Sequence, residues 1–280
     1  MKKAFLSVDL EGLPFIVNRG QLSTGNPLWE EGRRIASELT YAAVKAIHDE
    51  GFDEVIVADS HADMINIYYE RLPKYAYLVR GYPRPRSMIT GAEGCSAAFF
   101  LGYHAGVGTK DATYDHSFSS ATIKELRLNS EKASEFIFNT LALGEIGIPV
   151  IFVAGDEALR EDVEKFAPWA VFVPLKKSYG RYSSISPSIE KLNEDLAQGV
   201  KEAVRRMSNG EANVASIDKP VNVKIDFLYS GYAEVAEYLP FVKRVSATAI
   251  EYISNSVLEA YNIMELLTIV ASAVKVMTGQ

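Results

Sequence analysis

A single cysteine, Cys95, in 280 residues allows no internal disulfide, so the fold is expected to hold without an oxidising compartment. Basic clusters are missing too. Arg33-Arg34, Lys176-Lys177 and Arg205-Arg206 are isolated pairs, and the net charge is -7. Such a surface does not neutralise a phosphate backbone, which argues against nucleic acid as a partner. Long apolar runs are equally scarce. Lys2-Lys3 precedes only Ala4–Val8, shorter than the apolar stretch of a signal peptide. The stretch from Ile263 to Met277 is interrupted by Glu265 and Lys275, so it is expected not to cross a bilayer. The expectation is a soluble, cytoplasmic protein with no membrane partner.

What is present is ordinary globular composition, 48% hydrophobic and 23% charged, in a length that suits one large α/β domain or two smaller ones. Strand-like and helix-like segments alternate in the first half. Ala4–Val8 reads as a strand, and Gly12 to Leu28 as a loop broken by Pro14, Gly20, Gly25 and Pro27. Trp29 to Glu50 reads as a helix with Ile35, Leu39, Ala42 and Ala46 on one stripe, and Glu54–Ala58 as the next strand. That βαβ order implies a right-handed crossover and a mostly parallel sheet flanked by helices. Ala97–Tyr103, Pro149–Ala154 and Ala170–Pro174 read as further strands, Ile123–Leu128 as an edge strand or hairpin arm, and Glu131–Leu143 as a largely apolar, central helix. Beyond Ile185 the texture changes. A charged helix from Ser186-Pro187-Ser188 to Met207 leads through a polar linker to strand, helix, strand and a long last helix from Ser254. The division expected is a metal-binding α/β domain over 1–185 and a smaller α/β subdomain over 186–280 that caps the cleft and mediates assembly.

The chemistry gathers at strand ends. Asp9-Leu10-Glu11 follows the first strand, Asp59-Ser60-His61 the second, and His104 the run ending in Tyr103. In an open α/β sheet, ligands bind outside the carboxyl ends of the strands. Each motif is commonplace alone; acids and imidazoles delivered together to one edge suit a divalent metal with open positions for water, which points to a metallohydrolase. Asp59 is a candidate to orient a ligand histidine from behind. A carboxylate on the apolar helix needs a partner, and helical spacing alone does not choose between Glu131 and Glu135. Asn139 lies one turn beyond Glu135. His116, in Asp115-His116-Ser117, fits a further ligand, a general acid/base or an oxyanion stabiliser. His48 lies off the apolar stripe of its helix and reads as solvated, and Cys95 as a packing residue.

These residues, in this order, resemble the M55 family of metallopeptidases, the D-aminopeptidases. The likeness rests on Ser7-Val8-Asp9-Leu10-Glu11-Gly12, Asp59-Ser60-His61, Phe100-Leu101-Gly102-Tyr103-His104-Ala105, His116-Ser117, Glu135 to Asn139, Val153-Ala154-Gly155-Asp156 and Leu258-Glu259-Ala260-Tyr261. It runs nearly end to end. Pro14-Phe15-Ile16-Val17 and Gly106-Val107-Gly108 depart from the pattern. The resemblance implies two zinc ions per subunit, other divalent ions being possible. Asp9 would bridge them, Glu11 and His61 would complete one site, and His104 and Glu135 the other. It thereby favours Glu135 over Glu131, and it implies His116 as the additional active-site histidine. It also implies a ring-like homo-decamer whose inward-facing sites act on short peptides, releasing N-terminal residues, D-amino acids among them. A dinuclear amidase or phosphoesterase, and a non-catalytic peptide-binding protein, are the competing readings.

Overall fold

The computed structural model describes residues 1–279. Twelve strands and six α-helices follow one another along those residues. In chain order they are β1 (Lys3–Val8), α1 (Trp29–Asp49), β2 (Glu54–Asp59), β3 (Ala76–Val79), β4 (Ala97–Tyr103), β5 (Ile123–Leu128), β6 (Glu131–Lys132) and α2 (Glu135–Glu145). Then come β7 (Val150–Asp156), α3 (Arg160–Phe166), β8 (Val171–Gly180), β9 (Ser183–Ile185), α4 (Ile189–Ser208), β10 (Val221–Phe227), α5 (Ser230–Ala236), β11 (Lys243–Arg244), β12 (Ala249–Ser254) and α6 (Val257–Thr278).

Seven strands form one sheet in the order β3-β2-β1-β4-β7-β8-β9, parallel throughout except for β9, which runs against β8. The mostly parallel α/β sheet expected from the sequence is what this chain forms. β1, β4 and β7 are buried almost end to end because both faces are covered. Ala4, Leu6, Val8, Phe99 and Leu101 face a core shared with Ile35, Leu39, Leu196 and Val200 of α1 and α4. Phe5, Ala98, Phe100 and Val153 face the opposite core with Phe136, Phe138 and Leu141 of α2. At roughly 1.5–3 kcal/mol per fully buried large apolar side chain, these two cores fix the sheet between its helix layers.

A second sheet, β11-β12-β10-β5-β6, is antiparallel throughout and lies beyond α2. It does not follow the chain division at residue 185. β5 and β6 come from before that point, and α4, from after it, packs with α1 on the first sheet. Of the two readings of Ile123–Leu128, the hairpin arm holds: β5 turns back into β6 and pairs with β10 on its other side.

The helix expected to start at Glu131 begins instead at Glu135. Asn129 and Ser130, both at positive φ (47° and 76°), make a tight hairpin turn that sends Glu131-Lys132 back along β5. Ser134 then caps α2 by accepting from the Ile137 N–H. The long last helix expected from Ser254 starts at Val257 and runs to Thr278. With 22 residues it is long and apolar enough to cross a membrane by length and composition, yet Ala260, Tyr261, Met264, Leu267 and Ala271 are buried in the core shared with α2 and the second sheet.

Candidate metal centre

The parallel strands finish along one edge, and the side chains singled out from the sequence meet there. The chain leaves β1 in a turn pressed onto the end of β4: the Asp9 N–H donates to the Leu101 carbonyl and the Gly12 N–H to the Gly102 carbonyl. Gly102 has φ +77°, and a Cβ there would lie 2.0 Å from the Asp9 carbonyl oxygen, so no side chain fits between the two strand ends. That close approach brings Asp9 and Glu11 beside His104, which directly follows β4. His61 comes from the loop after β2. His116 comes from the loop between β4 and β5, and Glu135 from the first turn of α2.

Asp9 divides its carboxylate between two imidazoles, with Oδ1 3.4 Å from His61 Nδ1 and Oδ2 3.5 Å from His104 Nε2. Glu11 Oε2 lies 2.8 Å from the same His61 nitrogen. On the other side Glu135 reaches His104 Nε2 at 3.6 Å and His116 Nε2 at 3.3 Å. Each ring is anchored by its remaining nitrogen to a backbone carbonyl: His61 to Leu22 (2.8 Å), His104 to Ala105 (2.9 Å) and His116 to Tyr114 (2.8 Å). A ring nitrogen that donates outward leaves a lone pair pointing inward, as a metal ligand requires.

The electrostatics describe a site short of positive charge. Burial and the neighbouring Glu11 charge push Asp9 up to about 8. Burial opposes charging His104, yet Glu135 and Asp9 drive it up to about 10, and Glu11 with Asp9 likewise hold His61 well above its ordinary value. Burial would raise Glu11 and Glu135, but the surrounding imidazoles keep both below the ordinary carboxylate range.

Divalent metal fits this donor set. Asp9 Oδ2, Glu11 Oε2 and His104 Nε2 are buried with no hydrogen-bond partner, a cost of about 1–3 kcal/mol for each orphaned group. The ligand atoms fall into two close groups, Asp9/Glu11/His61 and His104/His116/Glu135. Imidazole nitrogens facing carboxylate oxygens need a proton or a metal cation between them, and mixed imidazole and carboxylate donors suit zinc and related ions. Among the six, His116 is the most open, its side chain 13% exposed against 1% for His104. Glu131, the sequence-level competitor of Glu135, is exposed and pairs with Lys165.

Some expectations do not hold. Asp59 does not back a ligand histidine: its carboxylate accepts from the Asn66 side chain and from the Asn66 and Ile67 N–H groups, and Leu22 takes its expected place behind His61. His48 is half-buried, stacked on Tyr75 and bonded to the Phe52 carbonyl. Cys95 is buried, as expected of a packing residue. Asn139 does lie near the centre, but it acts beneath it, donating to the Tyr103 hydroxyl, which in turn meets Ser7. Sequence reading missed Lys176. It is 1% exposed, and burial pulls it down to about 8 against the opposing charges of Asp156, Glu11 and Asp9. The available signal was a lysine inside an otherwise strand-like run.

The centre opens into a cavity of about 420 Å³ whose walls include Arg19, Tyr82, Tyr114, Arg181, Tyr182 and Glu265. Glu265, with Thr268 and Ser272, comes from α6.

Residues 1–266 match the family model for Peptidase M55, D-aminopeptidase. The chain is 28% identical over 268 residues to a D-aminopeptidase of Bacillus subtilis (strain 168), covering 95% of this chain and 96% of that protein. Its structure superposes with a TM-score of 0.91 on the Zn-dependent D-aminopeptidase DppA from Bacillus subtilis, a self-compartmentalizing protease. That alignment is 27% identical and covers 96% of this chain and 98% of the other.

Proposed function

The chain belongs to the Peptidase M55 family and is a peptidase, and from that membership we propose a zinc-dependent aminopeptidase that releases N-terminal residues, D-amino acids in particular, from short peptides. The observation that carries this reading is Asp9, whose two carboxylate oxygens face different imidazoles with partnerless ligand atoms on both sides. In this proposal Asp9, Glu11 and His61 would hold one zinc ion, and His104 and Glu135, on the other side of Asp9, a second. Bound zinc would supply Lewis acidity, making water a competent nucleophile at neutral pH and polarising the scissile carbonyl.

The chain's own residues do the rest. The Leu22 and Ala105 carbonyls keep His61 and His104 in the tautomer that binds metal. His116, tied through Nδ1 to the Tyr114 carbonyl, presents Nε2 beside Glu135 at the cavity floor. From there it can take up a proton and deliver it to the departing amine. Of residues 186–280, α6 acts as the cap, supplying one wall through Glu265, Thr268 and Ser272. A cavity of about 420 Å³ holds the end of a peptide rather than a folded chain. The similar structure is a self-compartmentalizing protease, which supports a closed homo-oligomer here, a decamer by family resemblance. The cytoplasm is the proposed location.

The test is hydrolysis of D-Ala and L-Ala p-nitroanilides with metal quantified in the same sample. Turnover of the D-substrate, lost on chelation and restored by zinc at about two metals per chain, is expected. Loss of activity on N-acetylated substrate identifies the aminopeptidase. A full metal complement with no turnover of either enantiomer would overturn the reading.

A further inference from the structure

Lys176 stands out among the charged groups outside the six-residue cluster. It is buried in β8, yet among the described residues no carboxylate lies within ion-pairing distance of its ammonium. Nζ donates instead to two main-chain oxygens, those of Glu11 (2.5 Å) and Ile16 (3.0 Å). These carbonyls bracket residues 11–16, the first part of the segment between β1 and α1, and Glu11 belongs to that stretch. Its apolar residues Leu13 and Ile16 are fully buried, so it is a packed segment, and the Lys176 side chain bonds to both of its ends.

The strand is built to aim that side chain. In β8, Val173 and Leu175 point into the core shared with α4, and simple alternation would send Lys176 the other way from Leu175 and leave it in step with exposed Pro174. The pairing with β7 slips there: Gly155 faces Pro174, but Asp156 faces Lys176, so Leu175 is an inserted residue. Such a bulge re-aims a side chain, and bulges concentrate near active sites. After it, Lys176 and Ser178 are both buried. Ser178 Oγ donates to Asp156 Oδ2 at 2.5 Å, and the Thr113 hydroxyl donates to the same oxygen at 2.9 Å. Asp156 thus stays beside Lys176 as the first of its opposing charges, ahead of Glu11 and Asp9.

We propose that Lys176 is a positioning residue of the metal centre, clasping both ends of the Glu11–Ile16 loop and so holding the Glu11 carboxylate on His61. The proposal rests on the zinc reading above and assigns Lys176 no contact with substrate. Its signature is asymmetric, because only the site completed by Glu11 and His61 depends on the loop.

The experiment titrates zinc alone, against a chromophoric chelator, into the metal-free full chain and its Lys176→Met variant, with amide exchange followed across residues 10–16. One of the two zinc sites is expected to weaken by roughly 10–100-fold while the other keeps its affinity. Exchange in the loop should quicken, and kcat should recover in excess zinc with KM unchanged. Wild-type affinity at both sites, or tighter binding, would overturn the proposal. If Lys176→Met does not fold, Lys176→Gln decides on the same readout. A wild-type chain that takes up no zinc would overturn the zinc reading and this proposal together, whereas zinc uptake that is identical in the variant overturns this proposal alone.

Discussion

His104 and His116 stack face to face, their ring centroids 4.4 Å apart and their planes within 10°. The stack fixes the direction of the His116 ring, while Glu135 touches both imidazoles from the side. His104 is sealed at the back of the stack and His116 borders the cavity, which suits the first to holding metal and the second to moving protons.

Removing the outer ring should therefore separate chemistry from binding. His116→Ala is expected to lower kcat by about 10²–10⁴-fold and leave the zinc content unchanged. Metal analysis alongside the kinetics checks it. If zinc is lost in step with activity, His116 is a ligand.

Asp9 and Glu11 differ in how many imidazoles they serve, and their variants should differ accordingly. Asp9→Asn is expected to weaken both zinc sites, and Glu11→Gln only one. With free zinc at about 100 times Kd, a bound site adds about 2.7 kcal/mol of stability. Zinc should therefore raise the Tm most in the wild type, less in Glu11→Gln and least in Asp9→Asn. Calorimetry with and without chelator reads that order.

Glu145, far from the cavity, ties the end of α2 to the start of α6. Its carboxylate accepts from the Ser256 hydroxyl (2.7 Å) and the Leu258 N–H (2.8 Å) and pairs with Lys219. Burial alone would raise its pKa, but these partners hold it down at about 2, below the ordinary 4.5. A carboxylate depressed on folding lends stability that is complete above 4.5 and fades as pH falls toward 2. Glu145→Gln should cost about 1–3 kcal/mol at pH 7. In urea melts the gap between the two proteins should narrow between about pH 5 and pH 3. A gap that stays constant would show that the charge contributes nothing.

The strand ends were the most legible part of the chain. Apolar runs that stop at Asp9, His61 and His104 carry a period and an edge, and those local properties sufficed to gather four of the six cluster residues, Asp9, Glu11, His61 and His104, at one sheet margin. Glu135 itself was not resolved by spacing, because the Asn129-Ser130 turn that ends the hairpin is short and lies inside what reads as one helical run. The resemblance to a family made that choice, and the exposure of Glu131 agrees with it. Lys176 was illegible for a different reason: its direction depends on a one-residue slip between β7 and β8, and register is a property of two strands that neither sequence carries alone. The carbonyls behind His61, His104 and His116 belong to backbone, which leaves no mark on composition.

The order in which the parts leave the ribosome has a bearing on the second sheet. β5 pairs along one side with β10, almost a hundred residues later, and α6, which walls the cavity, follows both. Domains form broadly from the N-terminus during synthesis. The strands bearing Asp9, Glu11, His61 and His104 therefore emerge well before the cavity can close around them. A half-made chain holds most of its candidate ligand set before the last wall of the cavity has been made.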